Sequence, residues 1–480
     1  MPKIVTIHAR EILDSRGKPT VEVEVQLEGG ILGRASVPSG ASTGAAEACE
    51  LRDGDSTRYD GLGVQQAVRN VNEILGPALV GYEPTLQHEI DRQLIDLDGT
   101  PNKANLGANA ILAVSLATAR AAAAANRQPL YLYLANLFTT HHSPLATHSR
   151  PLMPALPLPM VNMISGGKHA GGNLDFQDVL IIPLGTDDYR TQLEWIVRVY
   201  RRLGKLLTAA GYEGYLVGDE GGYGPRLKSN REAVEFVVRA IEAAGLRPGT
   251  DISIALDVAA SHFYRDGGYY LAAEQGAKLS SSQMIDRLEN WIDDFPITSI
   301  EDGLAENDWA GWKELTARLG KRVKLVGDDL FATNEKLLQR GIDERAGNAV
   351  LIKVNQIGTL TETFNTMLLA KQQGYSCIVS ARSGETEDDF LADLAVGTAA
   401  DYIKIGSIAR SERLAKYNRL LRIAEELALP QPLAPSPQPL APSLSPPTPQ
   451  PPCPSTFPVP NVPDTKSSPA SASSPRPVSR

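Results

Sequence analysis

The central part of the chain contains six short, almost uninterrupted apolar runs, separated by segments of mixed polarity. Apolar residues at nearly every position are typical of strands in a parallel sheet that helices cover. The intervening segments are long enough for one helix each, and one shows clear end signals: Thr359 with Glu362 forms a capping-box sequence, and Gly374 suits the C-terminal cap. The pattern therefore predicts alternating strands and helices, with strands at 252–256, 297–300, 323–327, 349–355, 377–381 and 402–405.

Each run ends in, or contains, a polar residue of a kind that binds metals or oxyanions. These residues are Asp257, Glu301, Asp328 with Asp329, Lys353, Arg382 with Ser383, and Lys404. An eight-stranded α/β barrel displays such groups on its catalytic face, at the carboxyl ends of successive strands. An open doubly wound sheet would gather its ligands at one crossover instead, and no run leads into a dinucleotide-binding glycine fingerprint. We therefore predict an α/β fold built on an eight-stranded barrel.

Lys353 is the candidate base, because it lies near the end of the apolar run 349–355. Burial and neighbouring cations both favour the neutral amine, so this lysine is expected to lose its proton near neutral pH. The alternative is a structural lysine paired with an acid. The polar residues at the other strand ends favour the catalytic interpretation.

Residues 1–138 are predicted to form a small α+β domain. Thr20 to Leu27 alternates apolar and polar residues, and a Glu-Gly-Gly turn leads into a second strand, Ile31 to Val37. Helical periodicity follows over 64–75 and 109–137. A connection at 139–159 then leads to the barrel at 160–429. The alanine-rich stretch 108–125 is predicted to be a buried helix and not a membrane span, so no membrane insertion is expected.

Three glycine-rich loops carry further candidates. The loop 39–44 offers Ser42, 165–172 offers His169, and 218–224 offers Glu220. A glycine-rich loop is often only a turn, and none of these has the ending of a phosphate-binding P-loop.

The composition argues against several classes of function. The net charge of -9, with no basic stripe, argues against a nucleic-acid partner. Three widely spaced cysteines argue against a disulfide framework, and a polar N-terminus argues against a secretory signal, so a cytoplasmic location is expected. Residues 430–480 hold 18 of the 34 prolines and are predicted to be a disordered Pro/Ser-rich tail. Such a tail is either solvated or docks a partner through its proline-rich motifs.

Residues 1 to about 429 resemble the enolases, the family of phosphopyruvate hydratases. The resemblance rests on several long motifs in the family's order: 9–16 (AREILDSR), 39–44 (SGASTG), 105–111 (NLGANAI), 218–222 (GDEGG), 353–359 (KVNQIGT), 383–388 (SGETED) and 410–418 (RSERLAKYN). It implies a barrel of modified strand and helix order behind an N-terminal capping domain. It also implies two Mg²⁺ ions per active site, and a homodimer or larger assembly.

The same resemblance implies a role for each matching residue in dehydrating 2-phosphoglycerate, a small phosphorylated acid, to phosphoenolpyruvate. Asp257, Glu301 and Asp328 match the ligands of the first Mg²⁺, and Ser42 matches a ligand of the second. Lys353 matches the base, and Glu220 matches the acid that assists the leaving hydroxyl. The expected substrate contacts are His169, Gln177, Asp178, Arg382, Ser383 and Lys404.

Four positions depart from the family pattern. Ala381 stands where the family has His, Asp178 where it has Glu, Gly303 where it has Pro, and His262 where it has Glu. Three hypotheses follow: an ordinary enolase, an enolase-like lyase that acts on an altered phospho or phosphono acid, and a weakly active paralogue that binds a partner through its tail.

Overall fold

An antiparallel three-stranded sheet begins the chain in the computed structural model, which describes residues 1–40, 44–140, 153–274 and 276–429. Its strands are β1 (Ile4–Leu13), β2 (Pro19–Leu27) and β3 (Leu32–Ser36). The predicted strands correspond to β2 and β3, and the Glu-Gly-Gly turn between them contains Gly29 and Gly30 with positive φ. The sequence pattern did not reveal β1. Ser42, most of the predicted connection, and the predicted tail 430–480 lie outside the described residues.

Five helices pack beside this sheet. They are α1 (Gln65–Asn70), which continues through a π-helical turn (Val71–Leu75) into α2 (Gly76–Leu79), then α3 (Gln87–Asp98), α4 (Ala108–Ala125) and α5 (Leu130–Thr140). The helical periodicity over 109–137 corresponds to two helices, α4 and α5. The chain breaks between α4 and α5 because Arg127 has a φ of 52° and Pro129 cannot continue a helical hydrogen-bond ladder.

Helix α4 is the central helix of this N-terminal part. It is the one helix among the described residues that is long and apolar enough to cross a membrane, but 83% of it is buried inside the protein. Its small side chains let β3 approach its backbone closely. A Cβ atom placed on Gly33 would lie 2.3 Å from both the Ala117 carbonyl oxygen and the Ala121 amide nitrogen. The prediction of a buried helix is confirmed.

The remaining strands form the barrel and a small three-stranded sheet. In chain order they are β4 (Leu158–Ser165), β5 (Asp178–Pro183), β6 (Ile252–Asp257), β7 (Tyr264–Arg265), β8 (Gly268–Leu271), β9 (Ala277–Leu279), β10 (Ile297–Glu301), β11 (Lys324–Gly327), β12 (Ala349–Ile352), β13 (Ser376–Ser380) and β14 (Tyr402–Gly406). All except β7, β8 and β9 close into one barrel in the order β10-β11-β12-β13-β14-β4-β5-β6. The predicted eight-stranded barrel is confirmed.

One barrel strand runs against the others. Strand β5 pairs antiparallel with both β4 and β6, whereas the other neighbouring strands of the barrel are parallel. The expectation of an entirely parallel sheet is therefore wrong at β5. The modified order implied by the family resemblance agrees with this reversal.

Helices cover the outside of the barrel. They are α6 (Tyr189–Ala209), α7 (Asn230–Ala243), α8 (Ser281–Asp294), α9 (Trp309–Leu319), α10 (Glu335–Glu344), α11 (Val354–Ile357), α12 (Leu360–Gln372), α13 (Phe390–Gly397) and α14 (Ser411–Ala428). The end signals predicted for α12 are confirmed, because the Thr359 side chain accepts from the Glu362 amide and Gly374 has a φ of 74°. Residues 1–429 form one compact unit that includes both the N-terminal part and the barrel.

Candidate active site

Three carboxylates lie at the ends of adjacent barrel strands. Asp257 is the last residue of β6 and Glu301 the last residue of β10, and the two are partners in the strand register. Asp328 directly follows β11, the next strand around the barrel. All three side chains are buried. The strand order thus brings the three predicted metal ligands to one face of the barrel.

Lys404 extends from β14 towards two of these carboxylates. Its Nζ donates to Asp257 Oδ2 at 2.7 Å and to the two carboxylate oxygens of Glu301 at 2.8 and 2.7 Å. Burial alone would lower the pKa of Lys404, but the charges of Asp257 and Glu301 raise this pKa well above its usual value. Lys404 is therefore a permanent positive charge inside the site.

Lys353 pairs with the third carboxylate. It follows β12, and its Nζ forms an ion pair with Asp328 Oδ2. Burial lowers the pKa of Lys353 most, and the charges of Arg382 and Lys404 lower it too, but the charges of Asp328 and Glu301 raise it, and the overall pKa is raised. The prediction that Lys353 is neutral near neutral pH is wrong for this arrangement, because the partner carboxylate stabilises the charged amine.

A second buried cluster, His169 with Asp178 and Glu220, lies at the same barrel face. His169 belongs to a short 3-10 helix after β4, and Asp178 is the first residue of β5. Because β5 is reversed, its first residue pairs with Ser165, the last residue of β4. His169 Nδ1 lies 2.8 Å from Asp178 Oδ2, and His169 Nε2 lies 3.8 Å from Glu220 Oε1.

The proton in this cluster resides on the histidine. Burial would lower the pKa of His169, but Asp178 and Glu220 raise it to about 9. Burial raises the pKa of Glu220, yet the positive charges of His169 and Arg413 lower it overall. His169 is therefore protonated and Glu220 ionised at neutral pH, so the predicted acid does not itself hold the proton in this state.

Gln177 connects the two groups of carboxylates. Its Nε2 donates to Asp257 Oδ2 at 3.1 Å, and its main-chain N–H donates to the Asp257 carbonyl at 2.9 Å. Its Oε1 is buried and accepts no hydrogen bond from the described residues. Buried polar atoms are normally satisfied, so this oxygen is a candidate acceptor for a ligand hydroxyl or a water molecule.

Arg382 and Ser383 lie after β13, where they complete the face. The Arg382 guanidinium donates to Glu47 Oε2 at 2.9 Å and to Asn355 Oδ1 at 3.0 Å. Ser383 Oγ accepts from Arg16 Nη1 at 3.1 Å. Beneath them the buried Arg413 donates to the main-chain carbonyls of both residues, at 2.6 and 2.7 Å. The backbone that carries this cationic end of the site is thereby held in place.

Comparison with family models identifies the architecture. The family described as "Enolase, N-terminal domain" matches residues 4–134, and "Enolase, C-terminal TIM barrel domain" matches residues 153–434. The second match alone spans more than half of the chain. The chain belongs to the enolase family. Enolase-family membership makes this protein a lyase-type enzyme that acts on a small phosphorylated acid.

The donor set of this enolase-family site suits the Mg²⁺ that the family uses. Asp257, Glu301 and Asp328 offer carboxylate oxygens, the ligands that hard cations prefer. Among the described residues, two groups of three bring one ligand atom each within 4.8 Å of one another: His169, Asp178 and Glu220, and Asp302, Asp328 and Asp329. The predicted ligand set, Asp257, Glu301 and Asp328, shares Asp328 with the second of these groups. In the predicted set, the ammonium groups of Lys353 and Lys404 offset part of the negative charge. Ser42 lies outside the described residues.

The inner cavity of the site is small. It is lined by residues of both clusters together with Ala381, Arg382 and Ser383, and its volume is about 20 Å³, close to that of one water molecule. The two lysine ion pairs occupy the space among the carboxylates. Substrate binding therefore requires these side chains to move.

The four residues that the sequence resemblance marks as departures, Ala381, Asp178, His262 and Gly303, differ in position. Ala381 lines the inner cavity, and Asp178 completes the His169 cluster despite its shorter side chain. His262 lies in the short 3-10 helix Ala260–Phe263, which follows β6. Gly303 is not among the cavity-lining residues, and a Cβ atom placed on it would lie 3.1 Å from side-chain atoms of both Ile300 and Leu288.

Sequence reasoning missed several residues that hold the site. Glu47 pairs with Arg382, Asn162 donates to Asp178, and Gln356 Nε2 donates to Asp328 Oδ1 at 2.9 Å. Asp302 accepts from the main-chain amides of Asp328 and Asp329, both at 2.9 Å. The Glu-Asp pair at 301–302 was a usable signal for Asp302, but nothing in the local sequence marks the other three.

Proposed function

We propose that the protein interconverts 2-phosphoglycerate and phosphoenolpyruvate, with Lys353 as the base and Glu220 in the acid role. The observation that supports this proposal most is the placement of a lysine pair and an imidazole–carboxylate pair around one cavity. Removing the proton from carbon 2 and the hydroxyl from carbon 3 requires one group of each kind. Both pairs line the inner cavity, which also contains Arg382 and Ser383.

Lys353 takes the carbon 2 proton once its ion pair with Asp328 is released. The remaining influences that lower its pKa are burial, Arg382 and Lys404. Since Asp328 is one of the proposed metal ligands, engaging this carboxylate elsewhere frees the lysine. In this proposal Lys353 acts as a base only after its interaction with Asp328 is lost.

Glu220 delivers the proton to the departing hydroxyl, and His169 supplies it. The imidazolium lies 3.8 Å from Glu220 Oε1 and is fixed on its other side by Asp178. A small movement brings the two into hydrogen-bond distance. In this proposal Glu220 and His169 act as one proton-holding unit.

The charges of the substrate meet fixed cations. Arg382 suits the phosphate through its planar donors, with Ser383 as a further donor, and Lys404 faces the substrate carboxylate. Asp257, Glu301 and Asp328 would hold one Mg²⁺, and Ser42 would join a second. When bound, Mg²⁺ supplies positive charge that stabilises the dianionic aci-carboxylate formed by proton removal.

The setting that we propose is the cytoplasm, where the protein would serve glycolysis as a homodimer or larger assembly. The three widely spaced cysteines, which suit a reducing compartment, support the location. The family resemblance supports the assembly.

A second candidate is an enolase-like lyase that acts on an altered phospho or phosphono acid. Ala381 supports it, because this residue lines the inner cavity where the family places an imidazole. Loss of that side chain removes a polar group and leaves room beside the reacting atoms. Asp178 has a shorter side chain than the usual Glu, and it changes the cluster with His169 and Glu220 beside the same cavity.

Phosphoenolpyruvate formation from 2-phosphoglycerate, followed by absorbance with and without Mg²⁺, tests the proposal. We expect metal-dependent turnover. Lys353→Ala should abolish exchange of the carbon 2 proton with deuterated solvent, while Glu220→Gln should retain exchange and lose dehydration by about 100-fold or more. Proton NMR of the substrate measures the exchange.

Lys336→Ala and Glu335→Gln on the surface of α10 are matched controls and should change neither step. Equal loss of exchange and dehydration in Glu220→Gln would contradict the proposed division of roles. Absence of turnover together with retained Mg²⁺ binding would favour the altered substrate.

A further inference from the structure

A second pocket, here called the outer pocket, opens beside the inner cavity and has a volume of about 680 Å³. Its charged and titratable lining consists mainly of Arg16, Lys18, Lys168, Asp219, His262 and Arg265. Gly171 and Gly172 also line it, and a Cβ atom on either would meet nothing within 4 Å. The pocket is therefore large enough for a substituent that the inner cavity cannot hold.

The outer pocket adjoins the side of the site that handles the leaving hydroxyl. Lys168 precedes His169, and Asp219 precedes Glu220. One wall of the outer pocket is therefore formed by the residues next in sequence to the proton-holding unit of His169 and Glu220. At its other edge Arg16 donates to Ser383 Oγ at 3.1 Å. The outer pocket therefore lies on the side of Glu220, the proposed acid, where carbon 3 of a bound phospho acid would be placed.

The pocket carries an excess of positive charge. Four cations face two acids, Asp175 and Asp219. The main-chain amides of Ala272 and Ala273 donate to Asp175 at 2.7 and 3.1 Å, which disperses its charge. Arg16 is neutralised by Asp14 at 3.1 Å.

Three of the four cations, Lys18, Lys168 and Arg265, form no ion pair with the described residues, and the last two are the exposed ones. Among residues 1–40, 44–140, 153–274 and 276–429, no ion pair forms with Lys168 or Arg265, and both side chains are exposed. The Arg265 guanidinium stacks over the Tyr270 ring at 4.6 Å, which orients it without neutralising it. His262 replaces the acid of the family pattern and so removes a negative charge from the same wall.

We propose that the outer pocket binds a second anionic group, of phosphate or carboxylate type, on a 2-phospho acid that is extended at carbon 3. The inference rests on the proposed function, because it uses the same reacting centre to place the ligand. Lys168 and Arg265 bind the added anion, and His262 leaves the wall free of repulsion.

The test compares 2,3-bisphosphoglycerate, which carries a second phosphate on carbon 3, with 2-phospholactate, which keeps the carbon 2 phosphate and the carboxylate but has no phosphate on carbon 3, as inhibitors of 2-phosphoglycerate dehydration. Free Mg²⁺ is held constant. The doubly phosphorylated compound should bind more tightly. Its inhibition constant should rise about three-fold in Lys168→Ala or Arg265→Ala and about ten-fold in the double variant, because each variant removes one partly screened charge.

Two further variants sharpen the result. His262→Glu should weaken 2,3-bisphosphoglycerate binding selectively, because it returns a carboxylate to the wall. Lys313→Ala, an exposed cation on α9, should leave the inhibition constant unchanged. A higher salt concentration should reduce the affinity of the wild type more than that of the double variant.

The two proposals fail in different ways. One result would overturn the outer-pocket proposal alone: normal turnover of 2-phosphoglycerate, with an inhibition constant for 2,3-bisphosphoglycerate that does not change when Lys168, Arg265 or His262 is substituted. If no turnover occurs, direct calorimetric titration with 2,3-bisphosphoglycerate replaces inhibition. Charge-dependent binding in that titration would support the pocket while the dehydration proposal fails, and charge-independent binding would overturn both.

Discussion

At the residue scale, one ion pair decides the state of Lys353. The amine is largely buried and has two cationic neighbours, which is the environment of a lysine base, yet Asp328 holds it in the charged form. The apolar run before Lys353 indicated its burial correctly. It could not indicate the partner, because Asp328 is 25 residues earlier and reaches Lys353 only through the pairing of β11 with β12.

Ala381 provides a direct test of the altered pocket. We expect Ala381→His to raise kcat/KM for 2-phosphoglycerate by about ten-fold, because an imidazole would return a polar group to the inner cavity, beside the reacting atoms. Steady-state kinetics on 2-phosphoglycerate measures the change.

Ala381→Leu is the matched control, since it fills the same space without a hydrogen-bonding group and should lower the rate. If Ala381→His lowers the rate as well, the site is adapted to another substrate.

At the element scale, the reversal of β5 sets which site residues could be predicted. The polar residues at the ends of parallel strands followed from pattern alone, because each comes after an apolar run. Asp178 is the first residue of its strand and lies at the catalytic face only because β5 is antiparallel. Pattern reasoning therefore could not find it, and the family motif did.

The contact between β3 and α4 gives a prediction about packing. Gly33→Ala should destabilise the protein by about 1–3 kcal/mol, because the new methyl group would overlap the backbone of α4 at Ala117 and Ala121. Urea unfolding measures the loss as a lower midpoint.

Leu32→Ala on the same strand is the control, because Leu32 is 46% exposed and its truncation should change the midpoint little. An unchanged midpoint in Gly33→Ala would mean that α4 can shift away from the sheet at low energetic cost.

Helix limits were predictable where the sequence carries local end signals and not elsewhere. Thr359, Glu362 and Gly374 fixed both ends of α12. The break between α4 and α5 was hidden because apolar and small residues continue on both sides of it. Strand β1 was missed because only Ile4, Ile7 and Ala9 along it are buried, too few to give a clear alternation.

At the scale of the whole molecule, metal binding should stabilise the barrel. The proposed ligands come from β6, β10 and β11, so a bound cation would link three strands. Mg²⁺ at about 100 times its dissociation constant should add about 2.7 kcal/mol to the free energy of unfolding, which raises the melting temperature by a few degrees. Calorimetry with and without Mg²⁺ measures this shift.

The double variant Asp257→Asn with Glu301→Gln should lose the Mg²⁺-dependent shift, whatever its own melting temperature. Asp343→Asn, which removes an exposed acid on α10, should retain it. A shift that persists in the double variant would place the stabilising cation elsewhere.

The ion pairs of Lys353 and Lys404 also affect how the protein behaves when Mg²⁺ is absent. Because Lys404 and Lys353 already offset two of the three negative charges of Asp257, Glu301 and Asp328, withdrawal of a bound metal would leave only one of these charges uncompensated. A chelated sample should therefore remain folded and regain activity at once when Mg²⁺ returns. In a cell with little free magnesium, the metal-free enzyme should stay folded. It should become active again when Mg²⁺ returns, without synthesis of new protein.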